Sequence, residues 1–293
     1  MCLLPTRHQI HIRENFSIVQ SQVTVHQRAT FFALRRRVAA FGRLAAVAAL
    51  TVALLAACER TSPTESVLYS FGTGNVHDGK SPNGGLVMDA SGNLYGTTAI
   101  GGTDHFGTVF KITPSGVESV LYSFGTGNVH DGRSPNGGLV MDASGNLYGT
   151  TVFGGTNNLG TVFKITPSGV ESTFYSFGGN DGNDGDQPNG GLVMAASGNL
   201  YGTADGGGKL GIIGYHTVYL SRILGTPSSL SGGLGTVFKI TPSGVEPVLH
   251  SFGTGNVWQD PNGGMVMAAS GNLYGTTSFG GTDHSGTVFR ITP

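Results

Sequence analysis

Cysteine, charge and long apolar runs are all scarce in this sequence. Only two of its 293 residues are Cys, and only 11% are Asp, Glu, Lys or Arg, where a quarter is usual. Two Cys cannot build a disulfide framework or a Cys-based zinc site, and so little charge is incompatible with coiled coils and helical bundles. The longest uncharged apolar run has 14 residues, too short for a membrane-spanning helix of about 20 residues.

Glycine and aromatic residues are abundant instead. Gly accounts for 50 residues, Phe for 16 and Tyr for 9. The aromatic residues supply material for a packed core, and the glycines indicate many tight turns. The chain is therefore expected to fold.

The first 57 residues differ in composition from the rest. They hold seven of the 16 basic residues and one of the 17 acidic ones, and they end in the apolar run Leu44–Ala57 followed by Cys58. This order is typical of a bacterial lipoprotein signal peptide, and Leu55-Ala56-Ala57-Cys58 resembles its lipobox. The sequence predicts a signal peptide over residues 1–57 and a lipidated Cys58 with a short tether, 58–65. The export route, general or twin-arginine, stays open.

Removal of that signal peptide leaves a mildly acidic protein. Its 236 residues carry nine basic and 16 acidic side chains, a net charge near −7. Because such a surface repels polyanions, nucleic acid is excluded as a partner. The expected location is the bacterial cell envelope, at the outer membrane or cell surface. The expected partners are the membrane, through the lipid anchor, and a carbohydrate or protein ligand.

Four copies of one module fill residues 66–293. Gly-Gly-Leu-Val-Met, with Met for Leu in the last copy, recurs at steps of 53, 53 and 73 residues, and the third copy carries an insertion at about 204–234. Each module contains four short β-branched or aromatic segments bounded by turn residues, here named strands A to D. A period near 50 with four such strands is typical of β-propeller blades. Strand A follows Gly84, Gly137, Gly190 and Gly263.

The strand order predicts a closed ring. The chain reads D, then A-B-C-D three times, then A-B-C, so the first D strand (Val67–Phe71) is expected to pair with the last C strand (Thr287–Ile291). The predicted fold is an all-β propeller of four four-stranded blades. A β-solenoid, or half of an eight-bladed dimeric ring, are the alternatives that the repeats leave open.

The repeated strings also carry a family resemblance. LVMDASGNLYGTT, a Gly-rich loop, GTVFKITPSG and LYSF, from about residue 66 to 293, resemble the GloVer tandem repeat of bacterial choice-of-anchor surface proteins. The resemblance implies a repeated β domain on an interchangeable surface anchor. It supplies no catalytic residues and no cofactor.

The loops from D to A and from B to C emerge on one face, and functional residues are expected there. A closed ring would bring such loops of the first and fourth modules together, and their imidazoles and carboxylates suit a divalent transition metal. The predicted metal ligands are His77, Asp104, His105, Asp283 and His284. Asp78 and Trp258 are further candidate ligand-binding residues, the Trp as a stacking surface for a sugar.

No catalytic motif accompanies these residues. The sequence has no nucleophile elbow, phosphate loop, HExxH motif or dinucleotide fingerprint. The acidic run Asp181–Asp186 lacks the spacing of an EF-hand and is interpreted as a solvated turn, with calcium binding as the alternative. The preferred function is a non-enzymatic ligand- or protein-binding module. The alternative is a propeller hydrolase or lyase of saccharides or lactones, which would need convergent acids with perturbed pKa values.

Cys58 is expected to carry the lipid. Labelled fatty acid should enter the wild-type protein in bacterial cells, whereas a Cys58→Ser variant should stay unlabelled and be released from membranes, because the thiol is the acylated group. Equal labelling of the two proteins would contradict the prediction.

Overall fold

The computed structural model describes residues 64–72, 77–126, 131–179, 184–208, 234–253 and 260–293. The chain divides into two compact units, Met1–Ser66 and Val67–Pro293, and the second contains the repeats. Over the described ranges, no helix is long and apolar enough to cross a bilayer. Cys58, Trp258 and most of the predicted insertion lie outside these ranges.

Each of the first two modules forms a five-stranded antiparallel sheet. Strand A is split into two short pieces that both pair with strand B, and the first piece lies in what the sequence predicted to be a loop. The first sheet contains β1 (Gly79–Pro82), β2 (Val87–Met88), β3 (Leu94–Gly101), β4 (Thr108–Ile112) and β5 (Glu118–Ser123). The second contains β6 (Gly132–Pro135), β7 (Val140–Met141), β8 (Leu147–Gly154), β9 (Thr161–Ile165) and β10 (Glu171–Ser176).

The third and fourth modules form smaller sheets of the same order, with four and three strands. The third sheet contains β11 (Val193–Met194), β12 (Leu200–Ala204), β13 (Thr236–Ile240) and β14 (Val248–Ser251). The fourth contains β15 (Val266–Met267), β16 (Leu273–Thr277) and β17 (Thr287–Ile291). In every module the Leu that begins strand B pairs with the Ile that ends strand C. The predicted all-β architecture of four antiparallel, propeller-type sheets is therefore confirmed.

One aromatic contact joins each sheet to the next, and a fourth such contact joins the segment Val67–Phe71 to the first sheet. The Phe that follows or ends a D segment meets the C-strand Phe of the next sheet edge-on, with ring centroids 4.9–5.2 Å apart. The C-strand ring also covers a B-strand Gly of its own sheet and leaves no room for a Cβ there. These rings lie in apolar clusters that combine adjacent sheets. The pairs are Phe71–Phe110, Phe124–Phe163, Phe177–Phe238 and Phe252–Phe289.

A row of hydrogen-bonded asparagine side chains, one from each module, connects neighbouring sheets. The side-chain amide of Asn83 donates to Oδ1 of Asn136, Asn136 donates to Asn189, and Asn189 donates to Asn262 at 2.9 Å. Because each amide satisfies its neighbour, the row fixes the order and spacing of the sheets.

The predicted ring closure is wrong for this structure. The segment Val67–Phe71 is not a strand, and the fourth sheet ends at β17 with no D strand among the described residues. Val288 on β17 is 79% exposed, whereas its three equivalents are fully buried: Val109, Val162 and Val237.

The packing of the first segment explains the difference. Phe71 meets Phe110 edge-on, and the Tyr69 hydroxyl donates a hydrogen bond to Asp78 at 3.0 Å. The segment therefore lies on the first sheet in the position that the D strand of a preceding blade would occupy. The sequence pattern correctly identified the D segment but could not specify whether the row of sheets bends enough for its ends to meet.

A substitution at Gly149 tests whether the B-strand glycines that lie under a C-strand Phe ring are needed for packing. A Cβ at this position would lie 2.5 Å from Phe163 Cζ and 2.8 Å from Leu139 Cδ2. Gly149→Ala should therefore lower the free energy of unfolding by about 1–3 kcal/mol, the cost of overpacking a core. Gly85→Ala, where nothing lies within 4 Å, should change it by less than about 0.5 kcal/mol. Urea unfolding of both variants measures the difference, and equal stabilities would contradict it.

Candidate functional site

The structure does not assemble the predicted metal site. All five predicted ligands are exposed, and within the described ranges no three His, Cys, Asp or Glu side chains are grouped so that they could hold a metal ion. The reason is the open row of sheets, since the loops concerned lie in its first and last modules. The five residues are His77, Asp104, His105, Asp283 and His284.

The two loop histidines have a structural explanation. His105 and His284 have φ of 63° and 56°, and Asn158 occupies the same turn position in the second module with φ of 58°. His and Asn are enriched in this left-handed conformation, so the turn itself accounts for these residues.

Asp78 is buried and ties the first D segment to the loop that follows it. Its Oδ2 accepts hydrogen bonds from the Tyr69 hydroxyl and, at 2.6 Å, from the backbone N–H of Gly72. Asp131 and Asp184 repeat this arrangement in the next two modules. A residue required by three modules in one position stabilises the repeat, which gives Asp78 a structural role. Trp258 lies outside the described residues.

A different set of acids converges in the third module. Asp186 pairs through its backbone with Gly206, and Asp205 directly follows strand β12. Both acids therefore lie at the start of the B-to-C loop of the third module. Asp260 enters from the fourth module, where its carbonyl accepts a hydrogen bond from the N–H of Ser278 at 2.7 Å. These three acids define the acidic cluster. They too are not grouped so that all three could hold one metal ion, so at most two of their carboxylates can ligate the same ion.

The acidic cluster departs from the repeat at every position. Where the third module has Asp186, the first two have Lys80 and Arg133, so the charge is reversed. The position of Asp205 is occupied in the other modules by Ala99, Val152 and Ser278, and that of Asp260 by Ser81, Ser134 and Gln187. The module folds without these acids, and their presence needs another explanation.

Burial and the charges of neighbouring acids raise the pKa values of the three acids in the cluster. Burial first, then the charges of Asp205 and Asp184, raises the pKa of Asp186 to about 6. Burial and the charge of Asp260 raise the pKa of Asp205 to about 6, against a hydrogen bond from Asn189 that lowers it. Burial also raises the pKa of Asp260. Asp186 and Asp205 therefore titrate near pH 6.

Three buried oxygen atoms around the cluster have no hydrogen-bond partner among the described residues. They are Oδ2 of Asp186, Oδ1 of Asp205 and Oγ1 of Thr236. Asp186 is only 1% exposed.

The unpaired hydroxyl results from another departure from the repeat. In the other modules a B-strand Thr bonds the equivalent hydroxyl at 2.7–2.8 Å, but the third module has Ala204 there. Thr236 Oγ1 lies against Gly185, the residue between Asp184 and Asp186. Asn189 links the cluster to the asparagine row by donating to Asp205 Oδ2 at 3.4 Å.

No motif spacing marks this cluster in the sequence, because its three acids lie far apart along the chain and Asp186 belongs to an acidic run with the composition of a solvated turn. Asp184 and Asp186 were interpreted as part of a solvated turn, and this is wrong, since both are 1% exposed. The signal available in the sequence was the presence of acidic residues in a single module, at positions where the other copies have none.

Three partly buried glutamates form a second, repeated feature of the modules. Glu118, Glu171 and Glu246 each begin or precede a D strand, and each has an oxygen without a hydrogen-bond partner in the described part of the chain. Burial and then the charge of a loop Asp raise the pKa of Glu171 to about 7 and that of Glu246 to about 8. Burial also raises the pKa of Glu118, so all three carboxyls hold their protons to a higher pH than an exposed glutamate does.

Comparison with known proteins identifies the repeats. The model of the Gloeobacter/Verrucomicrobia repeat family matches residues 56–218. Among curated proteins, no sequence matches the chain.

The chain is similar to several solved structures at low identity. A gluconolactonase from Xanthomonas campestris is 13% identical, with 74% of this chain and 78% of that chain covered and a TM-score of 0.40. A Dyadobacter fermentans protein of unknown function is 12% identical, with coverages of 72% and 65% and a TM-score of 0.43. A luciferin-regenerating enzyme is 14% identical, with coverages of 71% and 60% and a TM-score of 0.40. The chain spans less than two thirds of the latter two proteins.

The free energy of unfolding should fall as pH rises from about 5 to about 8 in the absence of added cations. Between the unfolded pKa, near 4, and the raised folded value, the native state holds protons that the unfolded state has released, so each raised acid loses its stabilisation as pH rises. The acids concerned have pKa values of about 6, 7 and 8. The lowered pKa of His250, caused by burial, opposes this trend only below about pH 6.5.

Urea unfolding at a series of pH values measures this dependence. Glu171→Gln should flatten it between pH 5 and 7, because the amide cannot titrate, whereas Glu65→Gln at an exposed site should not. Stability that rises over the whole interval would refute the assignment of the raised pKa values.

Proposed function

The chain belongs to the Gloeobacter/Verrucomicrobia repeat family, and we propose that it is an envelope-anchored binding module whose third module holds a divalent cation. The observation that carries the proposal is the pair of buried carboxylate oxygens, on Asp186 and Asp205, that accept no hydrogen bond from the described residues. Burying a carboxylate without a donor or a cation is costly, and a protein retains such groups where a ligand compensates them.

The donor atoms favour calcium over zinc. Among the described residues the cluster offers carboxylate oxygens and the Thr236 hydroxyl, but no imidazole or thiol. Asn189 turns its NH2 group toward Asp205, and this group donates hydrogen bonds and does not ligate a cation. Hard oxygen ligands suit calcium, which also accepts water in its coordination shell. Two carboxylates completed by water would give an affinity on the order of 10⁻⁴–10⁻³ M, the range of extracellular calcium modules.

Such a cation would do two things. It would neutralise acids contributed by two modules, since Asp205 precedes and Asp260 follows the junction of the third and fourth sheets. It would also leave coordination positions for the hydroxyls of a carbohydrate or the carboxylate of a protein ligand. Lipidation of Cys58 would hold this site at the cell envelope, because the tether 59–65 spans at most about 25 Å when extended.

The alternative function is hydrolysis or elimination on a saccharide or lactone. It is favoured by the pKa values of about 6 for both Asp186 and Asp205, because two neighbouring carboxyls that titrate near neutral pH can act as general acid and base. The same residues serve both functions, so binding and catalysis must be measured together.

Calcium should stabilise the wild-type protein against urea at pH 7.5. At about 10 mM calcium the expected gain is about 1.4–2.7 kcal/mol for the affinity given above. Asp186→Asn and Asp205→Asn should lose this response. In chelator both variants should be more stable than the wild type, because the substitution removes an uncompensated buried charge.

Asp283→Asn, at an exposed acid, is the matched control and should keep the calcium response. A wild-type protein indifferent to calcium would contradict the proposal. Proton release from an aldonolactone that is lost in Asp205→Asn, without any calcium response, would support the hydrolase instead.

A further inference from the structure

An arginine is held in a fixed position at the junction of the first and second modules. The guanidinium carbon of Arg133 lies 5.2 Å from the centre of the Phe106 ring, and its Nη2 donates a hydrogen bond to Oδ1 of Asn158. That Oδ1 also accepts from the N–H of Gly154 at 3.1 Å, and the carbonyl of Phe106 accepts from the N–H of Ser134 at 2.8 Å. Because both partners are tied to the backbone, the guanidinium is positioned before any ligand binds.

This guanidinium has no carboxylate partner among the residues that the structure describes. Its contacts there are one amide oxygen and one aromatic ring. Arg carries five N–H donors in a planar fork, and a carboxylate is a group that such a fork binds with two parallel hydrogen bonds. Arg133 is only half-buried, so the remaining donors can reach a ligand. The junction therefore offers a preformed binding group for a carboxylate.

An exposed aromatic ring lies beside this arginine in the same sheet. Arg133 is the Cα partner of Phe153 in the pairing of β6 with β8, and such partners stand on the same face of a sheet. Phe153 is 41% exposed and Phe106 is 37% exposed. A partly exposed ring next to a fixed polar group is suited to stack on the apolar face of a sugar.

The next junction carries different residues at these three positions. Leu159 stands where the first junction has its Phe ring, Asp186 where it has the arginine, and Gly206 where it has the second ring. The repeat therefore requires neither the cation nor the rings. One junction combines a cation with aromatic rings, and the next combines buried acids with a glycine that has no side chain.

The asparagine row connects these two junctions. Asn136, three residues after Arg133, donates to Asn189, three residues after Asp186, and Asn189 also donates to Asp205 at 3.4 Å. The arginine and the acidic cluster are thus linked through two side chains on neighbouring modules. A ligand longer than one sugar residue can contact both.

We propose that the ligand of this protein is a short oligosaccharide that contains uronate residues. One uronate carboxylate accepts two hydrogen bonds from Arg133 while its ring lies on Phe153. Oxygen atoms of the neighbouring sugar complete the coordination of the cation held by Asp186 and Asp205. This inference rests on the proposed function, since it uses that cation, and it names the ligand class of the same site.

The local charge of this region suits such a ligand although the mature chain is acidic. Lys80 on β1 occupies the position of Arg133 in the first module, and the bound cation offsets the carboxylates of the acidic cluster. A short ligand meets mainly this local charge, because charges farther away than a Debye length of about 8 Å are screened. A long polyanion would also meet the acidic surface around it.

Isothermal titration calorimetry with trigalacturonate tests the inference at pH 7.5 and about 10 mM calcium, the concentration chosen for the affinity given above. The methyl ester of the same trisaccharide is the matched probe, because it keeps the rings and hydroxyls but has no carboxylate charge. The ester, the Arg133→Gln variant and replacement of calcium by a chelator should each weaken binding about tenfold or more. Phe153→Leu, which keeps an apolar side chain but removes the ring, should also weaken it.

Lys164→Gln is the matched control. Lys164 Nζ lies 5.7 Å from the centre of the Tyr148 ring, so this variant also removes one positive charge from a cation–aromatic pair, but beside the short C-to-D turn. It should bind trigalacturonate like the wild type. Urea unfolding shows that Arg133→Gln is folded if calcium stabilises it as it stabilises the wild type.

Three results would overturn the inference. One is equal binding of trigalacturonate and its ester. The second is unchanged binding by an Arg133→Gln variant or in chelator. The third is a wild-type protein that calcium stabilises but that does not bind trigalacturonate, which would leave the proposed cation site intact. A wild-type protein that calcium does not stabilise would contradict the proposed function itself.

Discussion

The edge-on contact between a D-segment Phe and the C-strand Phe of the next sheet is the interaction on which the rest of the structure depends. Phe124 and Phe163, with centroids 5.1 Å apart, illustrate it. A single sheet of short strands buries too little apolar surface to be stable alone, so the modules hold together through this contact. The contact also explains one glycine in each module, since Gly149 leaves the space that Phe163 fills.

This repeated contact makes departures from the repeat informative. Three modules that keep the same Phe, Gly, Tyr and Asp pattern show what the fold requires, and the third module keeps this pattern while it adds Asp186 and Asp205 and loses one Thr at Ala204. These changes bury carboxylates and leave the Thr236 hydroxyl without a described partner, so they destabilise the isolated module. Buried carboxylate oxygens without a described partner also occur on the repeated residues Asp78, Asp131, Glu118 and Glu171. The reason for assigning function to the third module is therefore that Asp186 and Asp205 stand where its copies have no acid.

The repeat made most of the fold predictable from sequence. The strand segments, their antiparallel order and the resemblance to the repeat family all agree with the structure, because each follows from local patterns repeated four times. Ring closure was not predictable, since it depends on the angle between sheets, to which no single residue contributes a recognisable signal. The sequence and the structure point to different residues for the site. His105 and His284 suggested a metal, yet their positive φ reflects a turn, whereas Asp186 was hidden in an acidic run that resembled solvated sequence.

A crystal structure determined with calcium would locate the cation through its anomalous signal. An anomalous peak is expected at the acidic cluster, with oxygen atoms of Asp186 and Asp205 at about 2.3–2.6 Å and water completing the coordination. A map without a peak at the acidic cluster at calcium concentrations well above about 10⁻³ M, or with its peak at His105 or His284 instead, would contradict the assignment of the third module as the functional one.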